Sequence, residues 1–365
     1  MFFQTAIVAL SIFMTTAAVT SGNGSAPADA STTTTNHSVY AHETPTTTNA
    51  MSSVAIAKAF KGSGESLNNT DVLADTWIYP DAAGALETLQ SAQNINALKV
   101  EFLHVEDDGT LRQINQSEDY PNGYSPENVA LIKQHSKEQY ITVSGALEGT
   151  RQLMKNPQTI DQMVALADKT GFDVELDWEE YGEWDADYYK SFKAYLADLA
   201  KALHAHGHKL MIDGPPMYDK SSQAWYQWKY EELQPLVDDI LMMVYDNQFD
   251  TGAGNSIAPQ QWTEDCLKWL HDKTNGKGIA GVAAYGYEGK LGSYHSAINT
   301  SDGIIRRAGD IHFTRNSDGE LTATKDGIFY DISDQQTLVR RLDQVEQSGL
   351  KRLSVWSLGQ NPWFK

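Results

Sequence analysis

Four carboxylates occupy every second position in one short segment, at Asp173, Glu175, Asp177 and Glu179. The residues between them are apolar, which predicts a β-strand whose alternate side chains point to opposite faces. All four carboxylates would share one face, and like charges this close raise some of their pKa values. A carboxyl group with a raised pKa suits general acid catalysis near neutral pH. The alternative is an edge strand with its charges in solvent, but the apolar face suggests packing against helices.

The rest of the chain alternates strand-like and helix-like segments. The predicted strands are 72–79, 97–105, 140–144, 172–178, 209–213, 239–245, 278–285 and 352–358. The predicted helices are 82–93, 125–137, 157–170, 186–206, 222–234, 259–274 and 334–347. This order predicts an α/β fold, a parallel (β/α)8 TIM barrel with its site at the carboxyl ends of the strands. A doubly wound open sheet is the alternative, but no glycine-rich dinucleotide loop follows the first strand.

Residues 287–331 interrupt this alternation between the seventh strand and the helix that follows it. They contain two turn signals, NSDG at 316–319 and KDG at 325–327. We therefore predict a small β-rich insertion that forms one wall of a cleft.

The first 20 residues are similar to a secretory signal, because an apolar stretch at 5–14 precedes small residues. An uncleaved membrane anchor is the alternative. Residues 21–70 are rich in Ser and Thr and predict a disordered linker, so that the barrel covers 71–365. We expect a secreted or cell-surface protein that is a monomer.

The net charge of −20 argues against a nucleic-acid partner and against binding to anionic membrane surfaces. The single Cys266 excludes an internal disulfide. Three histidines, His204, His206 and His208, stand close together, but a spacing of two does not place residues on one helical face. We therefore predict no metal site. The sequence also has no phosphate loop of the Walker type, and we predict no cofactor.

Four segments, in this order, resemble glycoside hydrolase family 18, the chitinase-like barrels. They are ITVSG at 141–145, VELDWE at 174–179, MVYD at 243–246 and VWSL at 355–358. Three more, IAPQQW at 257–262, AYGY at 284–287 and FYD at 329–331, are similar to its bacterial spore-germination branch, which cuts peptidoglycan or related N-acetylglucosamine polymers. Three positions differ from the family pattern. Its first aspartate falls on Phe172, Glu175 stands where the family usually has Asp or Asn, and Ala146 stands where its Ser-Gly-Gly segment has the second glycine.

The resemblance implies retaining, substrate-assisted hydrolysis of β-1,4-linked N-acetylglucosamine glycans, which are chitin oligomers or peptidoglycan strands. In this chemistry the 2-acetamido oxygen of the sugar is the nucleophile, and the protein supplies the acid. Glu179 would be that acid and later the base. Asp177 would accept the acetamide N–H, Glu175 would share a proton with Asp177, and Tyr245 would donate its hydroxyl to the acetamide oxygen.

The resemblance also implies a set of sugar contacts, because flat CH faces of sugars pack on aromatic rings. Trp356 would be the floor of the site, and further contacts would come from Asp246, Asp213, Tyr285 and Trp77. Two alternatives stay open. One is a non-catalytic chitinase-like sugar-binding protein, against which the retained acid argues. The other is an endo-β-N-acetylglucosaminidase that acts on N-glycans.

Overall fold

The computed structural model describes residues 51–52, 70–82, 84–90, 92–293 and 296–360. The predicted signal or anchor at 1–20 and most of the predicted linker at 21–70 lie outside these residues. No helix within the described part of the chain is both long and apolar enough to cross a membrane.

The described chain forms strands and helices in the following order. The strands are β1 Met51–Ser52, β2 Leu73–Ile78, β3 Ile95–Val105, β4 Leu111–Gln113, β5 Glu138–Gly145, β6 Asp173–Trp178, β7 Leu210–Gly214, β8 Asp239–Met243, β9 Ile279–Ala283, β10 Gly286–Lys290, β11 Ser296–Asn299, β12 His312–Arg315, β13 Leu321–Lys325, β14 Ile328–Ile332 and β15 Arg352–Trp356. The helices are α1 Ala85–Leu89, α2 Pro126–His135, α3 Leu147–Leu153, α4 Gln158–Thr170, α5 Ala186–His206, α6 Lys220–Tyr226, α7 Tyr230–Leu233, α8 Asn247–Thr251, α9 Gln260–Thr274, α10 Ser301–Ala308 and α11 Gln335–Ser348.

Eight parallel strands close into a barrel in the order β2, β15, β9, β8, β7, β6, β5, β3. The ring is complete because β2 pairs in parallel with both β3 and β15. Helices connect successive strands, as the predicted (β/α)8 barrel requires, and β4 adds an antiparallel hairpin partner to β3. The predicted fold class is confirmed.

The acidic strand β6 has one polar and one apolar face. Its residues Val174, Leu176 and Trp178 are buried in the core between the barrel and its helices. The ring of Trp178 packs on the aromatic rings of α5, with centroids 5.7 Å from Phe192 and 5.6 Å from Tyr195. Burial of this face turns the alternate carboxylates toward the barrel interior, as period-two alternation predicts.

The predicted insertion is a small antiparallel sheet with the order β1, β12, β13, β14, β10, β11. It runs from Gly286 to Ile332, and it also contains the helix α10. Ile304, Phe313 and Leu321 belong to its own buried apolar cluster. Two residues of the predicted linker contribute to this sheet, because β1 pairs with β12.

A buried carboxylate joins this small sheet to the loop after β8. Glu320 accepts hydrogen bonds from the backbone N–H groups of Ile257 and Ala258, both at 2.9 Å. It also forms an ion pair with Arg341 at 3.0 Å, and both side chains are almost fully buried. The insertion is therefore fixed to the rim of the barrel near the end of β8.

Two predicted helices are wrong in their extent. The segment 222–234 was expected to be continuous, but α6 ends where Gln227 adopts a left-handed conformation with φ 48°, and α7 is a separate short helix. The break turns the fully buried Trp228 into a cluster of aromatic rings, where its centroid lies 5.2 Å from Tyr181 and 5.4 Å from Trp184. Burial of this large ring outweighs local helix propensity. The predicted helix 82–93 is also shorter in the structure, where α1 covers Ala85–Leu89.

Candidate active site

Glu179 follows β6 directly, at the carboxyl end of the barrel, and its side chain is half-buried. Burial and the neighbouring carboxylates of Asp177 and Asp246 raise the pKa of Glu179 well above its usual value. Its backbone carbonyl accepts a hydrogen bond from the indole N–H of Trp184 at 3.0 Å, which fixes this turn of chain. Glu179 therefore keeps its proton to a higher pH than an exposed glutamate does.

Asp177 is the last inward-facing residue of β6 and is 9 % exposed. Burial, followed by the charges of Glu175 and Glu101, raises the pKa of Asp177 to about 7, and Lys99 opposes the shift. The charge of this group therefore changes close to neutral pH. A carboxyl group poised in this way can stabilise positive charge that develops on a substrate.

Glu175 lies deeper in the barrel and is fully buried. It forms an ion pair with Lys99, with 2.7 Å between Nζ and Oε1. Its other oxygen accepts hydrogen bonds from the indole N–H of Trp77 at 3.1 Å and from the hydroxyl of Thr142 at 2.5 Å. Glu175 therefore supports Asp177 from below and presents no surface to a substrate.

Tyr245 follows β8 and is 6 % exposed. Its hydroxyl is buried and has no hydrogen-bond partner among the described residues. Burial is the main cause that raises the pKa of Tyr245 well above its usual value, so the hydroxyl stays protonated. Tyr245 therefore offers a hydrogen-bond donor inside the site that the described fold does not use.

Asp246 follows Tyr245 and adopts a left-handed backbone conformation with φ 65°. It accepts a hydrogen bond from the hydroxyl of Tyr285 and another from that of Tyr287, the latter at 2.8 Å. These two donors hold the carboxylate in place. Its charge then adds to the causes that raise the pKa of Glu179.

Trp356 ends β15 and is half-buried. Its ring centroid lies 5.0 Å from those of Tyr79 and Tyr285, and its indole N–H donates to the hydroxyl of Tyr79. A cis peptide bond joins it to Ser357. These ring contacts hold a flat apolar surface at the same end of the barrel as Glu179.

Several polar side chains near this site were not predicted from the sequence. Lys99 and Glu101 come from β3, and the hydroxyl of Ser144 on β5 donates a hydrogen bond to Glu101. A ring nitrogen of His104 lies 2.8 Å from the same hydroxyl. The available signal was that Lys99 and Glu101 stand at alternate positions in a mostly apolar strand. This spacing places both side chains on one face.

Residues 74–361 match the sequence pattern of Glycosyl hydrolases family 18. The chain belongs to this family. No curated protein matches the sequence. The family assignment agrees with the resemblance in the sequence and with the eight-stranded barrel.

Solved structures of similar fold include chitinases and spore cortex-lytic enzymes. A chitinase from Chromobacterium violaceum has a TM-score of 0.65 and 20 % identity over 80 % of this chain and 95 % of its own. The spore cortex-lytic enzyme SleL from Bacillus cereus has a TM-score of 0.64 and 16 % identity over 82 % of this chain and 72 % of its own. A mutant of catalytic domain 2 of an Ostrinia furnacalis Group II chitinase has a TM-score of 0.62 and 16 % identity over 80 % of this chain and 91 % of its own.

Within this family 18 barrel, three predicted sugar contacts lie deeper than expected. Trp77, Tyr285 and Asp213 are 2 %, 0 % and 1 % exposed. Inward-facing side chains fill the interior of such a barrel, so these residues lie beneath the surface of the site. Trp77 hydrogen-bonds Glu175, which makes it a support for the carboxylates. Burial, with Glu175 as the next cause, raises the pKa of Asp213 well above its usual value.

The first carboxylate of the row, Asp173, lies away from the site of this family 18 barrel. It starts β6 and accepts a hydrogen bond from the backbone N–H of Lys209 at 2.8 Å, next to the start of β7. The period-two pattern places it on the inner face, but the length of the strand separates it from Glu179. It therefore has a structural role at the other end of the barrel.

The three histidines considered as metal ligands contact carboxylates instead. His204 lies 2.8 Å from Asp238, and His206 lies 2.8 Å from Asp168. The described residues include no group of three or more His, Cys, Asp or Glu side chains arranged to hold a metal ion.

Proposed function

We propose that the protein hydrolyses β-1,4-linked N-acetylglucosamine glycans by a retaining, substrate-assisted mechanism. One observation carries this proposal. Glu179 with its raised pKa, Asp177 and the hydroxyl of Tyr245, which has no partner among the described residues, lie together at the carboxyl end of the barrel with the ring of Trp356. Membership in a glycosyl hydrolase family supports the same reading.

In the first step, Glu179 protonates the glycosidic oxygen while the 2-acetamido oxygen of the same sugar attacks the anomeric carbon. The bond to the leaving sugar breaks, and a bicyclic ion with positive charge on the acetamido group remains. Asp177 accepts the acetamido N–H and stabilises this positive charge. Tyr245 donates its hydroxyl to the acetamido oxygen and holds it in line.

In the second step, Glu179 is a carboxylate and acts as a base. It removes a proton from a water molecule, and the water oxygen bonds to the anomeric carbon as the bond to the acetamido oxygen breaks. Two inversions at the same carbon restore its original configuration, so the reaction proceeds with retention at the anomeric carbon. Glu179 ends the cycle protonated.

The acetamido group of the substrate is essential to this mechanism, and both chitin and the glycan strand of peptidoglycan contain it. The Ostrinia furnacalis chitinase mutant is in complex with a penta-N-acetylated chito-oligosaccharide, and SleL is a spore cortex-lytic enzyme. Both proteins support an N-acetylglucosamine glycan as substrate class. A secreted or cell-surface location fits polymeric glycans of this kind.

Product analysis tests the proposal. The protein is incubated with N-acetylated chito-oligomers, with purified peptidoglycan and with an N-glycosylated protein, and the products are identified by mass. We expect glycans shortened by N-acetylglucosamine units, with the β-anomer formed first in proton NMR spectra. First formation of the α-anomer would exclude retention. Tight binding of an oligomer without any product would establish the sugar-binding alternative, and release of N-glycans alone would establish the endoglycosidase alternative.

A further inference from the structure

A lysine lies inside the barrel beneath the site. Lys99, on β3, is fully buried, and its ammonium group lies 2.7 Å from Glu175. The same ammonium group lies over the ring of Trp77, 3.2 Å from the ring centroid. Burial of a charge is costly unless a partner compensates it, so this ion pair is a specific feature of the interior.

Glu175, the partner of Lys99, also accepts two hydrogen bonds that hold its carboxylate in place. The indole N–H of Trp77 and the hydroxyl of Thr142 both donate to the second oxygen of Glu175. Both donors would remain if the lysine were removed. The negative charge of Glu175 would then stand beside Asp177 without a compensating cation, and like charges in a buried site disfavour one another.

We propose that Lys99 is a positioning residue for Asp177: its ion pair with Glu175 offsets the charge of Glu175, so that Asp177 can be negatively charged when substrate is bound. The proposal rests on the proposed function, because Asp177 acts there as the acceptor for the acetamido N–H. It adds a residue that touches no substrate and acts through Glu175.

Other groups around Asp177 also act on its charge. Titratable or charged groups face it from β6, β3, β7, the segments after β2 and β8, and the turn after β6. They are Glu175, Glu179, Lys99, Glu101, Asp213, Tyr79, Tyr245 and Tyr181. Lys99 is the one cation in this set of described residues.

The test is the pH profile of kcat/KM for an N-acetylated chito-oligomer in a Lys99→Met variant. Methionine is close in volume and neutral, so the barrel interior stays filled. We expect the acidic limb of the profile to move upward by about one pH unit, which is about a tenfold loss of kcat/KM on that limb. The loss should largely disappear on the alkaline side of the optimum, because Asp177 is charged there in either protein.

A double variant, Lys99→Met with Glu175→Gln, is the matched control. It removes both members of the ion pair and leaves an amide that can still accept from Trp77 and Thr142. Glu175 raises the pKa of Asp177 more than Lys99 lowers it. We therefore expect the acidic limb of the double variant to lie at or below its wild-type position, which rescues the single variant.

Three outcomes would overturn the proposal. The first is an equal loss of kcat/KM at every pH in Lys99→Met, which indicates a merely structural lysine. The second is an acidic limb that does not move in Lys99→Met, and the third is a double variant that is no more active than the single variant.

A carbon-13 NMR titration of the aspartate carboxyl groups measures the same upward shift of Asp177 without turnover. The signal of Asp177 is assigned from an Asp177→Asn variant. If the wild-type protein cleaves no glycan, the proposed function fails, and this titration still decides the role of Lys99.

Discussion

Tyr245 and Tyr230 both bury their hydroxyl groups, but the two groups differ in their partners. The hydroxyl of Tyr230 donates to the backbone carbonyl of Pro215 at 2.9 Å, whereas that of Tyr245 has no partner among the described residues. An unpaired buried hydroxyl costs stability. The proposed mechanism uses this free hydroxyl as the donor to the acetamido oxygen of the substrate.

We expect a Tyr245→Phe variant to lose turnover but not stability. Removal of one donor to a reacting oxygen lowers kcat by about 10²- to 10³-fold. The free energy of unfolding should stay unchanged or rise, because an unpaired polar group is removed. A Tyr230→Phe variant is the control: it should lose about 1 kcal/mol of stability while it keeps its activity. Retained turnover in Tyr245→Phe would remove the tyrosine from the mechanism.

The raised pKa of Asp177 also has a consequence for stability. Its folded-state pKa of about 7 lies above its ordinary value of 3.8, so the folded protein binds this proton more tightly than the unfolded chain. Stability from this group is therefore present below the unfolded pKa and is lost as the pH rises through the folded pKa. We expect an Asp177→Asn variant to melt at a higher temperature than wild type at about pH 9, an advantage that shrinks toward about pH 4. A variant that melts lower than wild type at alkaline pH would contradict this.

At the scale of elements, β15 carries an arginine that closes the lower end of the barrel. Arg352 contacts Asp75 on β2 at 2.9 Å and Asp239 on β8 at 2.8 Å. Asp75 is fully buried, and burial raises its pKa although Arg352 lowers it. The arginine therefore ties three strands together through their charges.

We expect an Arg352→Met variant to lose about 3–5 kcal/mol of stability, because removal of one partner leaves a buried carboxylate unpaired. Loss of the arginine should raise the pKa of Asp75 further. A raised pKa lowers stability only at a pH where this carboxyl group is ionised in the unfolded chain, so the loss should be larger at about pH 8 than at about pH 4. A Lys268→Met variant is the control, because its pair with Asp272 is mostly exposed and contributes about 0–1 kcal/mol. Chemical denaturation at both pH values measures the difference.

The elements with strong local signals were predictable. The helix α5 has the predicted bounds 186–206, and Gly207 ends it in a left-handed conformation with φ 84°, which glycine adopts without strain. The break between α6 and α7 was not predictable, because it depends on where Trp228 finds aromatic partners far away in the sequence. The ion pair of Lys99 was missed for the same reason: the local pattern gives a side chain's face but not its partner on another strand.

At the scale of the whole molecule, the eight-stranded barrel and the insertion followed from the order of strands and helices. Two long-range contacts could not be predicted from this order. The pairing of β1 with β12 joins positions far apart in the chain, and the pairing of Glu320 with Arg341 fixes the insertion to the barrel. Such long-range contacts have no local sequence signal. The position of Glu179 at the carboxyl end of the barrel was predictable, because the predicted strand 172–178 ends directly before it.

The net charge of −20 should appear in the salt dependence of catalysis. We expect kcat/KM for a partly deacetylated, cationic chito-oligomer to fall several-fold between about 0.01 M and about 0.15 M salt, because the screening length drops from about 30 Å to about 8 Å. A fully N-acetylated oligomer of the same length is neutral and should change less than about twofold. Equal salt dependence for both oligomers would show that the charge of the protein does not steer substrate.

The most direct measurement compares turnover and binding in a Glu179→Gln variant. Glutamine keeps the shape of the side chain but cannot supply the proton. We expect kcat for an N-acetylated chito-oligomer to fall by about 10³-fold or more while calorimetric affinity for the same oligomer stays within about threefold of wild type. A variant that keeps most of its turnover would contradict the assignment of Glu179 as the acid.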